Sequence, residues 1–244
     1  MKKIIVVLFS IFYIVLGAQT AECKKLKDAI IQENNKEFNQ LLSKNTNVDC
    51  VSKNDKSALG IACAYGNKEF VKLLLQKRAD PNIVQFYNGK SIGTPLFDAL
   101  SICSQTLEPK LLDPVKMNSV KQQVKKESCT PKIKDEITLM LIENGANVLL
   151  VDDDHITTLM TASMYRRSDK VLTLLIDKGV DINARNSYGK TALMYAVINN
   201  DCRSVKTLTS FGADTSIKDN EGKTALDIAK ENNFKKISTF LSAK

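Results

Sequence analysis

The sequence predicts an all-α solenoid of about six helix-turn-helix units joined by hairpin-like fingers. Three observations carry this. Leu26, Leu59, Leu96, Leu159, Leu193 and Leu226 recur at spacings of 33, 37, 63, 34 and 33 residues, and a period near 33 marks an array of small stacked units rather than one wound core. Each leucine is followed three residues on by an alanine: Ala29, Ala62, Ala99, Ala162, Ala196 and Ala229. After a polar break comes a second apolar segment at helical spacing, which ends in a Gly- or Asn-containing stop such as Gly145-Ala146-Asn147 or Gly179-Val180-Asp181.

The elements follow in order. Lys2 and Lys3 precede the apolar run Ile4 to Leu16 and the small residues Gly17, Ala18 and Ala21, the layout of a secretory signal peptide over 1–21. The run is short for a spanning helix, so an uncleaved anchor is the lesser reading. The repeat domain is expected over 22–244. Its units are 24–51, 52–84, 85–150, 151–184, 185–217 and 218–244, the third enlarged by an insertion over 104–133.

Lys24, Lys25, Lys27 and Lys36 should give the first unit a wet outer face. Lys236, Ser238 and Thr239 do the same for the last, since terminal units turn a polar face to water. Thr191 and Thr224 stand where a hydroxyl caps a helix N-terminus. Gly145, Gly179 and Gly212 suit the left-handed residue that ends a helix, and Gly189 and Gly222 a tight finger turn. In the third unit Phe86-Tyr87-Asn88-Gly89 lengthens the finger, with Asn88-Gly89 a hairpin signal. Phe86 and Tyr87 either stand exposed there or fold back on the next helix. The insertion opens a helix at Asp113-Pro114 and continues it through Met117, Val120 and Val124. It is either a partner-binding arm or a tolerated surface elaboration, and the latter is favoured.

Asn186-Ser187-Tyr188-Gly189-Lys190-Thr191-Ala192-Leu193 and Asn220-Glu221-Gly222-Lys223-Thr224-Ala225-Leu226, with Gly93-Thr94-Pro95-Leu96 in part, resemble the ankyrin repeat signature. The resemblance covers roughly residues 24–241. It implies a protein-binding array that uses its finger tips and the concave face of its first helices. Carried over residue by residue, it points to Tyr65, Tyr165 and Tyr188 as the leading contacts, because aromatic residues are enriched among interface anchors. Phe86, Tyr87 and Arg166 come next.

The chain carries 35 basic and 27 acidic residues, a net charge of +8, and no Trp; loss of Lys2 and Lys3 with the leader would bring the charge to +6. The charge is scattered, with no basic stripe interleaved with aromatics, so nucleic acid is not the expected partner. The six cysteines lie at 23, 50, 63, 103, 129 and 202, and an exported chain can hold disulfides. Cys103 with Cys129 would close the insertion, and Cys23 with Cys50 would join the starts of successive units. Cys63 reads as a buried core thiol, and Cys202 as a free thiol in the break between helices. No Cys-x-x-Cys suggests a zinc or redox site.

His155, the single histidine, falls at a finger turn where Gly189 and Gly222 fall in later units, which reads as turn chemistry rather than a catalytic base. Asp152-Asp153-Asp154 invites a calcium reading, but turn chemistry is favoured. No nucleophile, metal or phosphate-loop motif occurs. The expectation is therefore a non-enzymatic monomer without cofactor or metal, exported to the periplasm or medium, with no membrane span after cleavage. It would act as a scaffold for a protein partner, or else as an inhibitor or immunity-like cap on an enzyme or toxin, or as an accessory to an exported redox enzyme.

Overall fold

The computed structural model describes residues 21–44, 46–51, 55–87, 90–101 and 129–243. The expected leader, and the insertion helix beginning at Asp113, lie outside the described residues. So does Cys103.

Twelve helices are described. They are α1 (21–31), α2 (Asn35–Ser43), α3 (Ala58–Tyr65), α4 (Lys68–Gln76), α5 (Pro95–Leu100), α6 (Pro131–Glu143), α7 (Thr158–Met164), α8 (Asp169–Asp177), α9 (Ala192–Ile198), α10 (Cys202–Ser210), α11 (Ala225–Glu231) and α12 (Lys235–Ser242). They form six pairs, one per repeat. The one described sheet is the hairpin β1 (Gln85–Tyr87) and β2 (Lys90–Gly93); the last three fingers are held by turns. It is antiparallel, with Phe86 opposite Ser91 and a register slip between Gln85 and Phe86. The four extra residues of that finger are what give strands room to pair.

Local chemistry sets the helix ends. Ser57, Thr157, Thr191 and Thr224 each accept a hydrogen bond from a backbone N–H in the first turn of α3, α7, α9 and α11, satisfying a donor that has no intrahelical partner. Asn34, Asn67 and Asp201 do the same for α2, α4 and α10. Gly145, Gly179 and Gly212 take φ near +87°, the left-handed stop that costs glycine least.

Packing then joins the units. The first helices stack on one another, α3 on α5, α5 on α7, α7 on α9 and α9 on α11, and each leans on its own second helix. Leu26, Leu96 and Leu159 are fully buried, as are the alanines three residues on. Burying one such leucine contributes about 1.5–3 kcal/mol. The small alanines let neighbouring backbones approach. One continuous apolar cluster runs from Leu26 to Leu241, so each unit completes its interior only against its neighbours.

Two charges sit where the sequence reading did not put them. Lys27, expected on a wet face, is 5% exposed, and its ammonium lies 2.6 Å from Asp55 of the second unit. Lys134 is 1% exposed. In other units the residue 12 positions before the buried stop residue (Ala79, Val180, Ala213) is a helix cap: Asn67, Ser168 or Asp201. In the third unit helix α6 begins a turn earlier, capped by Thr130. The cap position, Lys134, therefore falls inside the helix, and its ammonium donates to the carbonyls of Cys63, Ala64 and Asp98 at 2.7, 3.0 and 2.8 Å. A cation on the carbonyl ends of α3 and α5 is favourable electrostatics. Burial nevertheless draws the Lys134 pKa down to about 8, against the opposing pull of Asp98.

Cys23 is bonded to Cys50, with Cα atoms 6.1 Å apart, tying the first helix to the finger after it. Cys129 is also disulfide-bonded; Cys103, its expected partner, lies outside the described residues. Cys63 is free and buried, and burial pushes its thiol pKa well up. Cys202 is free and half-buried. It is the first residue of α10 rather than part of the break, because Asp201 takes the cap.

Candidate protein-binding surface

The last three fingers are closed by one device. Asp152 Oδ1 accepts from the amides of Asp154 and Ile156, Asn186 Oδ1 from those of Tyr188 and Lys190, and Asp219 Oδ1 from those of Glu221 and Lys223. An Asx side chain that folds back on its own loop mimics a backbone turn. This accounts for the acidic run at 152–154 by turn chemistry: the Asp152 carboxylate is committed to its own loop, and burial raises its pKa. His155 sits at the turn with φ +58°, its Nδ1 3.4 Å from Ser187 Oγ.

Neighbouring fingers are then linked in a row. The Ser91 amide donates to Asp153 Oδ2 at 2.8 Å, the Ser187 amide to the Asp154 carbonyl at 3.0 Å, and the Asn220 amide to the Tyr188 carbonyl at 3.1 Å. Lys190 reaches Asp219 at 2.6 Å. Gly189 is required here for space as well as φ, since any side chain would collide with Asn220. The described parts of the fingers from the hairpin onward thus form one linked platform, not independent loops.

On that platform Tyr188 is 57% exposed and Phe86 45% exposed. Tyr87 continues β1 beside Phe86. Tyr65 and Tyr165 lie elsewhere, at matching positions at the ends of α3 and α7, two units apart. Both are half-buried, and burial raises both hydroxyl pKa values. Arg166 turns the corner after α7 in a left-handed conformation, φ +55°, where an equivalent unit has Asn200. Its side chain stays 60% exposed, 3.9 Å from Asp201. The expected contacts therefore fall into two groups, Phe86, Tyr87 and Tyr188 on the finger row, and Tyr65, Tyr165 and Arg166 at the ends of first helices.

The structure adds a feature that the sequence reading missed. At the base of the fingers a ladder of Asx side chains joins the units. The Asp80 amide donates to Asp49 at 2.9 Å, the Asn147 amide to Asn82 at 2.7 Å, and the Asp214 amide to Asn183 at 2.8 Å. The equivalent residue between the third and fourth units is Leu149. It offers no oxygen to the next unit and stands 58% exposed, with Val151 at 45% and, on the preceding finger, Val84 at 40%. Val84 and Phe86 alternate with the fully buried Gln85, so both face outward. The signal was present in the sequence: Leu149 breaks a column of Asp and Asn.

Among the described residues no group of His, Cys, Asp or Glu could hold a metal ion, and no helix is long and apolar enough to cross a membrane. What the surface offers is apolar side chains on a rigid row of turns.

Comparison with known proteins agrees with this geometry. A family model described as ankyrin repeats (3 copies) matches residues 26–109, 132–219 and 159–244. An ankyrin repeat protein of Acanthamoeba polyphaga mimivirus is 32% identical over 97 residues, 38% of this chain and 60% of that protein. One from fowlpox virus is 32% identical over 109 residues, 44% of this chain and 25% of its own length. The chain thus spans less than two thirds of either relative. A second fowlpox ankyrin repeat protein is 29% identical over 180 residues, 71% of this chain and 92% of that protein. Among solved structures, a chain from the complex of a predatory endopeptidase of Bdellovibrio bacteriovorus with an immunity protein superposes with a TM-score of 0.68 at 25% identity. The match covers 91% of this chain and 98% of that one. With its six helix pairs, stacked first helices and linked fingers, this chain belongs to the ankyrin repeat family.

Proposed function

We propose that this protein-binding array is exported and caps an enzyme, in the manner of an immunity protein in complex with an endopeptidase. The observation that carries this reading is the match over 98% of one chain of the endopeptidase–immunity protein complex. Fold alone does not confer function, so the surface must supply the recognition. Phe86, Tyr87 and Tyr188 on the finger row make the principal contact, with Leu149 and Val151 beside them. Tyr65, Tyr165 and Arg166 extend it along the first helices. The leader over 1–21 directs the chain to the periplasm or the medium, where the Cys23–Cys50 bond persists. The chain acts as a monomer, without a cofactor, and performs no chemistry of its own.

The test is affinity capture from the exported fraction of native cells with the processed chain as bait, followed by titration of the captured enzyme. Recovery of one hydrolase at equal stoichiometry, with activity falling in proportion to added chain, supports the inhibitory role. A stoichiometric partner whose activity does not change would leave a scaffold and reject the cap. A chain retained inside the cell with residues 1–21 intact would reject export.

A further inference from the structure

At the joints between the second to fifth units, the residue one place after the aligned cap position (Asn67, Lys134 and Ser168) takes part in an ion pair across the joint. Lys68 of the second unit meets Glu136 of the third at 2.6 Å. Asp135 of the third meets Arg167 of the fourth at 3.7 Å. Asp169 of the fourth meets Arg203 of the fifth at 3.6 Å and also accepts from Thr207 at 2.9 Å. At the last joint the equivalent pair is Cys202 and Lys236, and neither of these two residues carries a carboxylate.

A groove opens at that joint, between α10 and α12, with a volume of about 510 Å³. Cys202, Val205, Ile237 and Phe240 line it with apolar surface, and Lys206, Lys235 and Lys236 stand around it. All three lysines are exposed, and none is in an ion pair among the described residues.

We propose that this groove binds an acidic linear segment of a protein partner, which lays an apolar side chain between α10 and α12 and supplies the carboxylates that the Cys202 and Lys236 pair lacks. The charge pattern decides the class of ligand. Three unpaired ammonium groups attract anions at long range and favour a carboxylate-bearing segment over a neutral one, while the apolar lining selects a segment that also carries a leucine- or phenylalanine-sized side chain. The groove lies on the second-helix side of the array. The proposal does not rest on the inhibitory reading of the finger row, and either can fail alone.

Cys202 is the built-in reporter. Cys63 is buried with a raised thiol pKa, and Cys23, Cys50 and Cys129 are bonded. Alkylation of Cys202 by iodoacetamide, read by peptide mass mapping, would be followed with a short synthetic Glu/Leu peptide and with its Gln/Leu counterpart. The expected result is several-fold slower labelling with the acidic peptide, no slowing with the neutral one, and loss of protection at high salt. In the Lys206→Glu/Lys235→Glu/Lys236→Glu variant the peptide should bind about tenfold more weakly, the order expected from three exposed ion pairs. Exposed positions spare the fold, and an unchanged melting temperature checks this. Equal protection by both peptides, or none by either, would overturn the proposal. So would protection by anionic phospholipid vesicles with none by the acidic peptide, since the surface would then be a lipid site.

Discussion

The Lys134 ammonium lies 2.7 Å from the Cys63 carbonyl oxygen, across 71 residues of chain, and ties the end of α3 to the second helix of the enlarged unit. Burial has drawn its pKa from 10.5 to about 8. Between these values the unfolded chain holds the proton and the folded chain releases it, so this group adds stability as pH rises from 8 to 10.5 and withholds it below 8. The wild type should therefore gain about 1–3 kcal/mol of unfolding free energy relative to Lys134→Met from pH 7 to pH 10. Urea denaturation of both proteins at the two pH values measures it, and a gap independent of pH would show that the ammonium is not held as described.

Leu149 occupies the rung that Asp49, Asn82 and Asn183 fill at other joints. Leu149→Asn should restore an acceptor for the next unit and stabilise the array by about 0.5–1 kcal/mol. If the finger base is an interface, the same change weakens partner binding. Thermal melts and a binding titration on one variant therefore move in opposite directions. A stability gain with unaltered affinity would remove Leu149 from the contact surface.

Tyr188 is exposed while its backbone carbonyl anchors the next finger. Tyr188→Ala keeps that carbonyl, so the melting temperature should hold while affinity for the captured enzyme falls by about 1–2 kcal/mol, the loss typical of a truncated aromatic anchor. Calorimetric titration reads it. An equal loss in Tyr65→Ala and none in Tyr188→Ala would move the contact from the finger row to the ends of the first helices.

The Cys23–Cys50 bond closes a 27-residue separation. Opening it should cost about 3.5 kcal/mol by loop-closure entropy, concentrated in the first unit because each repeat contacts only its neighbours. Hydrogen exchange of Cys23→Ser/Cys50→Ser should show lost protection in α1 and α2, with α9 to α12 unchanged. Uniform loss along the chain would mean that the array unfolds as one body.

The repeat was legible because its determinants are local. Thr191 and Thr224 cap the helices they were read to cap, Gly189 and Gly222 take the left-handed turn, and Cys63 is a core thiol. Lys27 and Lys134 were not legible as buried cations: each is held by groups 28 to 71 residues away, and a lysine on its own reads as surface. The half-burial of Tyr65 and Tyr165 against the exposure of Tyr188 was equally hidden, because it depends on what the neighbouring unit presents.

The sequence by itself determined the period, the helix pairs and their caps, and the left-handed stops, since nearest-neighbour stacking needs no information beyond one unit and the next. Only the tertiary structure decided which joints close and which remain open. A joint is a match between side chains one repeat apart, and Leu149 and Cys202 become meaningful only when the carboxylates and amides they fail to pair with are brought alongside them.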